Sequence, residues 1–296
     1  MNSLWRVTMG AVVSFSLIGL PQASASISGA TTTPTCIISL SPSATESLFA
    51  LGVGKEVKAV DATANFPQSQ LPKRRIDAFS PNLESILNVC PGEHELVVIS
   101  YDANQIQEKL QAQGVQVLNQ PAPANLAAAY TQIRALGIAV HHLQRANSLI
   151  ARMKHIINAA IQSVPRRANG QRVYYELDPT YYSLTSASFV GSILKKMHIV
   201  NIADANGVNA SGGYPQLSVE YVVSANPTII FLADTICCSA SSTSVSKRVG
   251  FKSVVAVKRN QVFALNDDVA SRWGPRLVLL VQQLARDIKH SLRGQS

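Results

Sequence analysis

Two segments of the chain repeat one pattern of apolar and polar positions. In PNLESILNVCPGEHELVVISY, at 81–101, and in PQLSVEYVVSANPTIIFLAD, at 215–234, a glutamate is followed seven residues later by a proline. Apolar residues at helical spacing lie between the two, and a short continuous apolar run follows each proline. The first feature is typical of a helix and the second of a buried strand. The chain therefore contains one helix–strand unit twice.

The first half of the chain alternates between predicted strands and helices. Ser41 can cap a helix that begins at Pro42 and is closed by Gly52, although a capping box of Ser43 and Glu46 competes with this start. Such alternation predicts a parallel sheet covered by helices. Strands are predicted at 36–40, 57–60, 96–100 and 115–118, and further helices at 83–89 and 104–113.

The middle of the chain is predicted to be helical without a break. From 127 to 163, apolar residues recur at steps of three and four and form one continuous face, and Pro165 ends the pattern. A flexible linker would not carry such a face. We therefore expect one long helix that packs across both halves of the chain.

The second half repeats the alternation of the first, so the fold class predicted is α/β. We expect two parallel-sheet lobes, at 36–126 and 170–296, bridged by one long rigid helix within a helical segment at 127–165. Ligands of such sheets bind beyond the carboxyl ends of the strands, which places a ligand cleft between the lobes. The second lobe has predicted strands at 172–177, 228–233 and 261–265, and helices at 188–197, 245–256 and 275–292.

Residues 1–25 are typical of a secretory signal peptide. They contain one arginine, no acidic residue, a short apolar core and the sequence ASA at the end. The apolar core is shorter than the ~20 residues that span a bilayer, so cleavage after Ala25 is expected and an uncleaved anchor is the alternative. Cys36 lacks the preceding residues of a lipoprotein signal. We expect a protein that is exported to the periplasm or cell surface and is soluble after cleavage.

The four cysteines allow more than one pairing in an exported protein. Cys36 precedes the first strand and Cys90 ends a helix that leads into another strand of the same sheet, so a bridge between them is favoured. Cys237 and Cys238 are adjacent, which permits a vicinal bridge or two free thiols. A C-x-x-C spacing is absent from the sequence, so neither a zinc site nor a thioredoxin-type motif is predicted.

The net charge of +9 is spread over short basic pairs, without a long run or interleaved aromatic residues. Nucleic-acid surfaces concentrate their basic residues, so nucleic acid is not expected as a partner. Solvated surface charge is the simpler explanation.

Aromatic residues make up only 6% of the chain, yet several of them follow predicted strands. A purely structural role would place them inside strands and helices, so we predict that they line a ligand surface. Arg272, beside Trp273, is the polar residue predicted to contact the ligand. The aromatic candidates are Phe66, Phe79, Tyr101, Tyr181, Tyr182, Tyr214 and Trp273.

The sequence contains no H-E-x-x-H, G-x-S-x-G, P-loop or complete dinucleotide motif. Its six histidines are scattered. We therefore predict no catalytic residues, no metal site, no cofactor and no enzymatic activity. A secreted hydrolase that uses Asp178 and Asp267 as acid and base is a distant alternative.

Four segments resemble the substrate-binding proteins of ABC importers for vitamin B12, within the wider superfamily that binds iron siderophores and haem. The resemblance runs from about Cys36 to Ala285 and implies two lobes, a bridging helix, little hinge motion and a ligand held between the lobes. It also implies a monomer that works with a permease dimer and its ATPase subunits. The segments are IISLSPSATESLFALG, NLESILNVCP, YPQLSVEYVVSANP and VFALNDDVASRWGPRLVLLVQQLA.

The resemblance also assigns roles to individual residues. Glu84 and Glu220, one in each copy of the repeated unit, match the glutamates that engage permease arginines. Charge complementarity of this kind governs register and association rate more than affinity. The transported ligand is expected to be a corrinoid, and haem or a ferric siderophore is the alternative. The positions that match corrinoid contacts are Phe66, Phe79, Tyr101, Tyr182, Tyr214 and Arg272.

Overall fold

The structure is a computed structural model that describes residues 33–93, 95–207 and 209–293 of the 296-residue chain. The predicted signal peptide at 1–25 and His94 lie outside the described residues. Within the described part, no helix combines the length and the apolar character that a membrane crossing requires.

The N-terminal lobe is built on a five-stranded sheet in which every pair of neighbours is parallel. The central strand is fully buried, as expected when helices cover both faces of a parallel sheet. The strands are β1 (Cys36–Leu40), β2 (Val57–Asp61), β3 (Arg75–Ile76), β4 (Glu95–Ile99) and β5 (Gln116–Asn119), in the order β3-β2-β1-β4-β5.

Three helices of this lobe connect its strands: α1 (Pro42–Leu51), α2 (Leu83–Leu87) and α3 (Ile106–Ala112). Ser41 is the N-cap of α1, because its Oγ accepts the backbone N–H of Ala44 at 3.3 Å. Gly52 closes the helix at φ 83°, a left-handed conformation that glycine adopts without strain. The first of the two capping alternatives is therefore the one observed.

The segment predicted as one continuous helix contains two, α4 (Leu126–Ala139) and α5 (Leu143–Gln162). His141 has φ 57°, which reverses the chain between them, and the next residue bonds back to α1 through His142 Nδ1 and the Leu51 carbonyl at 2.9 Å. Gly137 permits the close contact, since a Cβ there would lie 2.4 Å from the Ala146 Cβ. The helix that bridges the lobes is thus α5 alone.

The C-terminal lobe has a four-stranded parallel sheet. Its strands are β6 (Arg172–Glu176), β7 (Val200–Asn201), β8 (Ile229–Leu232) and β9 (Val262–Ala264), in the order β7-β6-β8-β9. Its helices are α6 (Phe189–Lys196), α7 (Val219–Ala225), α8 (Ser242–Ser246), α9 (Val255–Lys258), α10 (Asp267–Ala270) and α11 (Leu277–Ser291).

The other differences from the predicted elements concern short elements. The two-residue strands β3 and β7 and the four-residue helix α10 have too few residues to show a periodicity. The helix expected at 245–256 is divided at Gly250, which has φ 79°. A Cβ at that position would lie 2.9 Å from Val223 Cγ2, so the break brings the backbone close against α7.

One apolar core connects the two sheets. It contains residues from α1, α4, α5 and α11 together with side chains from strands of both sheets. On α5, Leu149, Met153 and Ile157 are buried in this core along one face. The bridging helix is therefore held by packing along its length, and residues from Thr33 onward form a single compact unit.

Both cysteine pairs are bridged. Cys36 and Cys90 form a disulfide whose Cα atoms are 6.3 Å apart, which confirms the predicted pairing. Cys237 and Cys238 form a vicinal disulfide, the first of the two states that their adjacency permits. Cys36 and Cys90 are buried, whereas both residues of the vicinal bridge are exposed.

Candidate ligand-binding site

Five of the seven predicted aromatic residues are strongly exposed, with between 41% and 73% of each side chain accessible. Large apolar side chains normally contribute to cores, so a group of them left in solvent at strand ends indicates a binding surface. We call this group the exposed aromatic set: Phe66, Phe79, Tyr101, Tyr182 and Tyr214.

The three members in the N-terminal lobe follow β2, β3 and β4. The rings of Phe79 and Tyr101 are neighbours, with centroids 6.4 Å apart. Asp61, at the end of β2, accepts the backbone N–H of Thr63 at 2.9 Å and of Ala78 at 3.1 Å. One buried carboxylate therefore fixes the loops that carry Phe66 and Phe79.

The two members in the C-terminal lobe lie on paired segments. Tyr182 forms an antiparallel bridge with Gln216, and the Ser183 N–H donates to the Pro215 carbonyl at 2.9 Å. This pairing brings together the two segments that carry Tyr182 and Tyr214. Burial raises the pKa of the Tyr214 hydroxyl above its ordinary value, so it remains protonated at neutral pH.

The structure places the other two predicted aromatics differently. Tyr181 has φ 69° and packs against Phe251, with ring centroids 6.2 Å apart. Trp273 is half-buried against the main core, and its backbone N–H donates to Ser43 Oγ at 3.2 Å. Both residues contact protein more than solvent, and their predicted contact with a ligand stays a prediction.

Arg272 joins the two lobes. The side chain is 7% exposed, and its Nη1 donates to Asn65 Oδ1 at 2.6 Å, while its Nη2 donates to Asp268 Oδ1 at 2.6 Å and to the Thr63 carbonyl at 3.0 Å. Nη1 also lies 3.4 Å from Glu46 Oε1. Its donors therefore serve protein acceptors in both lobes, and its predicted contact with a ligand remains a prediction.

Glu46 is the other centre of this network. It is buried in α1 and accepts a hydrogen bond from Arg276 Nη2 at 2.6 Å as well as the contact from Arg272. Gly274 lies so close that a Cβ there would be 3.2 Å from Glu46 Oε2. This role of Glu46 was not predicted, although Glu46 is the one charged residue in PSATESLFAL and its charge in an otherwise uncharged helix is a signal.

A cavity of about 660 Å³ lies where the two lobes meet, and its size suits part of a large ligand. The Arg276 guanidinium stands 4.5 Å above the centroid of the Phe66 ring at its wall. Cation–π contact of this kind holds an exposed ring in one orientation. The lining residues are Asn65, Phe66, Pro67, Gln68, Ser69, Asp268 and Arg276.

A buried acidic pair lies below the C-terminal half of the site. Glu176 ends β6 and receives Arg248 Nη2 at 2.6 Å, while Asp234 follows β8 with no hydrogen-bond partner for its carboxylate among the described residues. Burial, followed by the charge of Glu176, raises the pKa of Asp234 to about 7. The Arg248 guanidinium covers this pair and lies 5.4 Å from the Tyr181 ring centroid.

The model of the family described as periplasmic binding protein matches residues 37–269, a range that includes both sheets and α5. The chain belongs to the periplasmic binding protein family. Members of this family are solute-binding proteins, which confirms the prediction that the chain is not an enzyme.

Individual relatives agree with this assignment. An uncharacterized ABC transporter substrate-binding lipoprotein, YvrC, of Bacillus subtilis is 28% identical over 86% of this chain and 80% of its own length. The vitamin B12-binding protein of Vibrio cholerae is 26% identical over 86% of this chain and 88% of its own. The predicted resemblance to this superfamily is therefore confirmed.

The fold agrees as well. A solved structure of a possible iron-binding, periplasmic solute-binding protein from Staphylococcus epidermidis superposes with a TM-score of 0.74 at 26% identity, covering 87% of this chain and 99% of that one. Solved haem-binding proteins share the fold at lower identity. Two parallel-sheet α/β lobes are thus the architecture of this chain and of its structural relatives.

The glutamates of the repeated unit occupy equivalent positions in the two lobes of this family member. Glu84 lies in the first turn of α2, which Asn82 caps, and Glu220 lies in the first turn of α7, which Ser218 caps. Both are exposed, and neither forms an ion pair with another described residue. Their carboxylates are free to meet a partner.

The remaining polar candidates have local roles. Asp178 Oδ1 accepts the Thr180 N–H at 2.7 Å, and Asp267 accepts backbone N–H groups of the loop after β8. Each carboxylate thus caps a loop, which accounts for both members of the hydrolase alternative. Among the described residues, no group of three or more His, Cys, Asp or Glu side chains is arranged to hold a metal ion.

Proposed function

We propose that this chain is an extracytoplasmic substrate-binding protein that captures a corrinoid and delivers it to an ABC importer. The observation that carries the proposal is the exposed aromatic set at the carboxyl ends of both sheets. A relative that is 26% identical is a vitamin B12-binding protein, and another is an ABC transporter substrate-binding lipoprotein. We expect the protein to act outside the cytoplasm after its signal peptide is removed.

The chemistry of the site suits a large, already chelated metal. A corrinoid presents broad apolar faces, and burying them against aromatic rings releases about 25 cal/mol for each Å² removed from water. The cobalt needs no ligand from the protein, because the corrin ring holds it. A surface of exposed rings with few charges therefore supplies the interaction that this ligand offers.

Haem or a ferric siderophore is the second candidate, and the tyrosines favour it. Tyr101, Tyr182 and Tyr214 carry hydroxyls at the site, and a phenolate is a ligand that ferric iron accepts. One structural relative is described as a possible iron-binding protein. Under this alternative, the same surface would hold the chelate while one tyrosine coordinates the metal.

Titration of the purified mature protein distinguishes the candidates. Isothermal titration with cyanocobalamin should give saturable heat with one site per chain, together with a shift in the cobalamin absorption bands. A Soret shift with haemin, without heat from cyanocobalamin, would replace the corrinoid by haem. No response to either compound or to a ferric siderophore would overturn the proposed ligand class.

We also propose that Glu84 and Glu220 dock the protein on its permease. Two carboxylates, one for each lobe, can meet equivalent basic residues on two copies of a permease subunit. The equivalent helical positions of the two glutamates and their exposure support this role. On this basis the protein acts as a monomer against a permease dimer with ATPase subunits.

A further inference from the structure

The loop that follows β8 exposes an apolar surface that no predicted role explains. Ile236 is 59% exposed, and the vicinal disulfide between Cys237 and Cys238 is exposed beside it. The residues that continue the loop are small and polar, in the run SASSTS. The exposed isoleucine and disulfide keep apolar surface in contact with water, which is unfavourable. Covering this surface with a ligand would therefore release free energy.

Hydrogen bonds hold this loop in one conformation. The Asp267 carboxylate accepts the backbone N–H groups of Thr235, Ile236 and Cys237 at 2.8, 2.9 and 2.8 Å. The Cys238 N–H donates to the Asp234 carbonyl at 3.2 Å. Four consecutive N–H groups of the loop are therefore satisfied, three of them by Asp267 of α10. A surface that is ordered before binding costs less conformational entropy when a ligand arrives.

The loop lies at the same end of the sheet as the exposed tyrosines of its lobe. Strand β8 stands between β6 and β9, so the loop after β8 lies between the segments that follow those two strands. Tyr182 lies in the segment that follows β6, and this segment pairs with the one that carries Tyr214 through the bridge between Tyr182 and Gln216. The loop is thus a neighbour of the segment that carries Tyr182.

Sulfur is suited to a flat conjugated ligand. Divalent sulfur is polarizable and makes favourable contacts with aromatic rings. A disulfide between adjacent residues also fixes both cysteine side chains, so the sulfur atoms cannot turn away from a bound ligand. We propose that Ile236 and the Cys237–Cys238 disulfide form a ligand-contact platform that packs against the flat face of the bound chelate. This inference rests on the proposed function, since it names the part of this chain that recognises the macrocycle.

Two variants of the full mature protein test the platform. Cys237→Ser with Cys238→Ser removes the bridge while keeping side-chain size, and Ile236→Ser removes the apolar neighbour without touching either sulfur. Each should weaken the affinity for the probe that the wild type binds, cyanocobalamin or haemin, by about tenfold. Circular dichroism and melting temperature establish that each variant is folded.

Val249→Ser provides the matched control. Val249 is 86% exposed but adjoins Gly250, which lies against Val223 near the end of α7, the helix that leads into the amino end of β8. This variant should bind as the wild type does. Unchanged affinity in both platform variants would overturn the platform alone, as would mass spectrometry that finds two free thiols at 237 and 238. A wild type that binds neither probe would overturn the proposed function and the platform together.

Discussion

At the scale of single residues, the Arg272 guanidinium carries hydrogen bonds to both lobes. Arg272 follows a strand and neighbours Trp273, which suggested a polar contact. In the structure it bonds to acceptors of both lobes, one of them 226 positions away in sequence. No local sequence pattern spans that separation, so the contact between Arg272 and Glu46 could not be predicted. The exposed tyrosines could be predicted, because each follows a strand.

The Arg272→Met variant should be strongly destabilised. Removing the guanidinium leaves buried Glu46 with Arg276 alone and removes the bonds to Asn65 and Asp268, and breaking a buried ion pair costs about 3–5 kcal/mol. Urea unfolding followed by circular dichroism measures the loss. Arg276→Met, at a more exposed end of the network, should cost less. A loss below about 1 kcal/mol for Arg272→Met would contradict the importance of this network.

Asp234 should make stability depend on pH. The pKa of Asp234 is about 7 in the folded protein, whereas the ordinary value for an aspartate is 3.8. The folded state therefore keeps this proton to a higher pH than the unfolded state does. The stability that this proton contributes is complete below about pH 4 and is lost as the pH rises through 7. Relative to wild type, Asp234→Asn should therefore be more stable at pH 8 than at pH 5.

Thermal unfolding at several pH values between 5 and 8 measures this effect. Asp77→Asn, which replaces an exposed carboxylate, serves as the control and should follow the wild-type curve. Parallel curves for Asp234→Asn and wild type would show that the buried carboxyl does not titrate in this range.

At the scale of elements, the repeated helix–strand unit could be predicted from sequence, because the spacing of its apolar residues and its helix caps are local features. The N-cap of α2 and that of α7 each lie two residues before the glutamate. The break between α4 and α5 could not be predicted, because the helical spacing of apolar residues continues through it. It depends on His141 adopting a positive φ and on contacts to α1, which are tertiary.

Glu84→Ala combined with Glu220→Ala should separate docking from ligand capture. Ligand affinity should be unchanged, because both residues lie in exposed first turns outside the aromatic surface, while importer-dependent uptake should fall by about tenfold or more. Uptake of labelled ligand and binding to the permease in detergent provide the two measurements.

Glu108→Ala is the matched control for these helices, since Glu108 is an exposed glutamate in the first turn of α3. It should leave uptake at the wild-type level. Equal uptake by the double variant and by this control would remove the docking role.

At the scale of the whole molecule, one core holds both sheets and the bridging helix. Fold class could be predicted because alternating strands and helices specify parallel sheets. The continuous apolar face of the middle segment predicted packing across both halves, but the contribution of α11 could not be predicted, because it depends on which faces of α4, α5 and α11 meet. Ile157, fully buried on α5, lies in that shared core.

Ile157→Ala should lower the unfolding free energy by about 2–5 kcal/mol, the usual cost of removing a buried isoleucine side chain to Ala. Because the core is common to both lobes, unfolding should remain a single transition in which near- and far-ultraviolet circular dichroism coincide. Ile156→Ala changes the neighbouring, less buried position and should cost less. Two separate transitions would mean that the lobes have independent cores.

The buried bridge between Arg272 and Glu46 has a kinetic consequence. Because Arg272 bonds to acceptors of both lobes, we expect little movement of one lobe against the other and a recess that is open before the solute arrives. Capture is then a one-step encounter, and its observed rate climbs in direct proportion to solute concentration, with no plateau from a slow closing step.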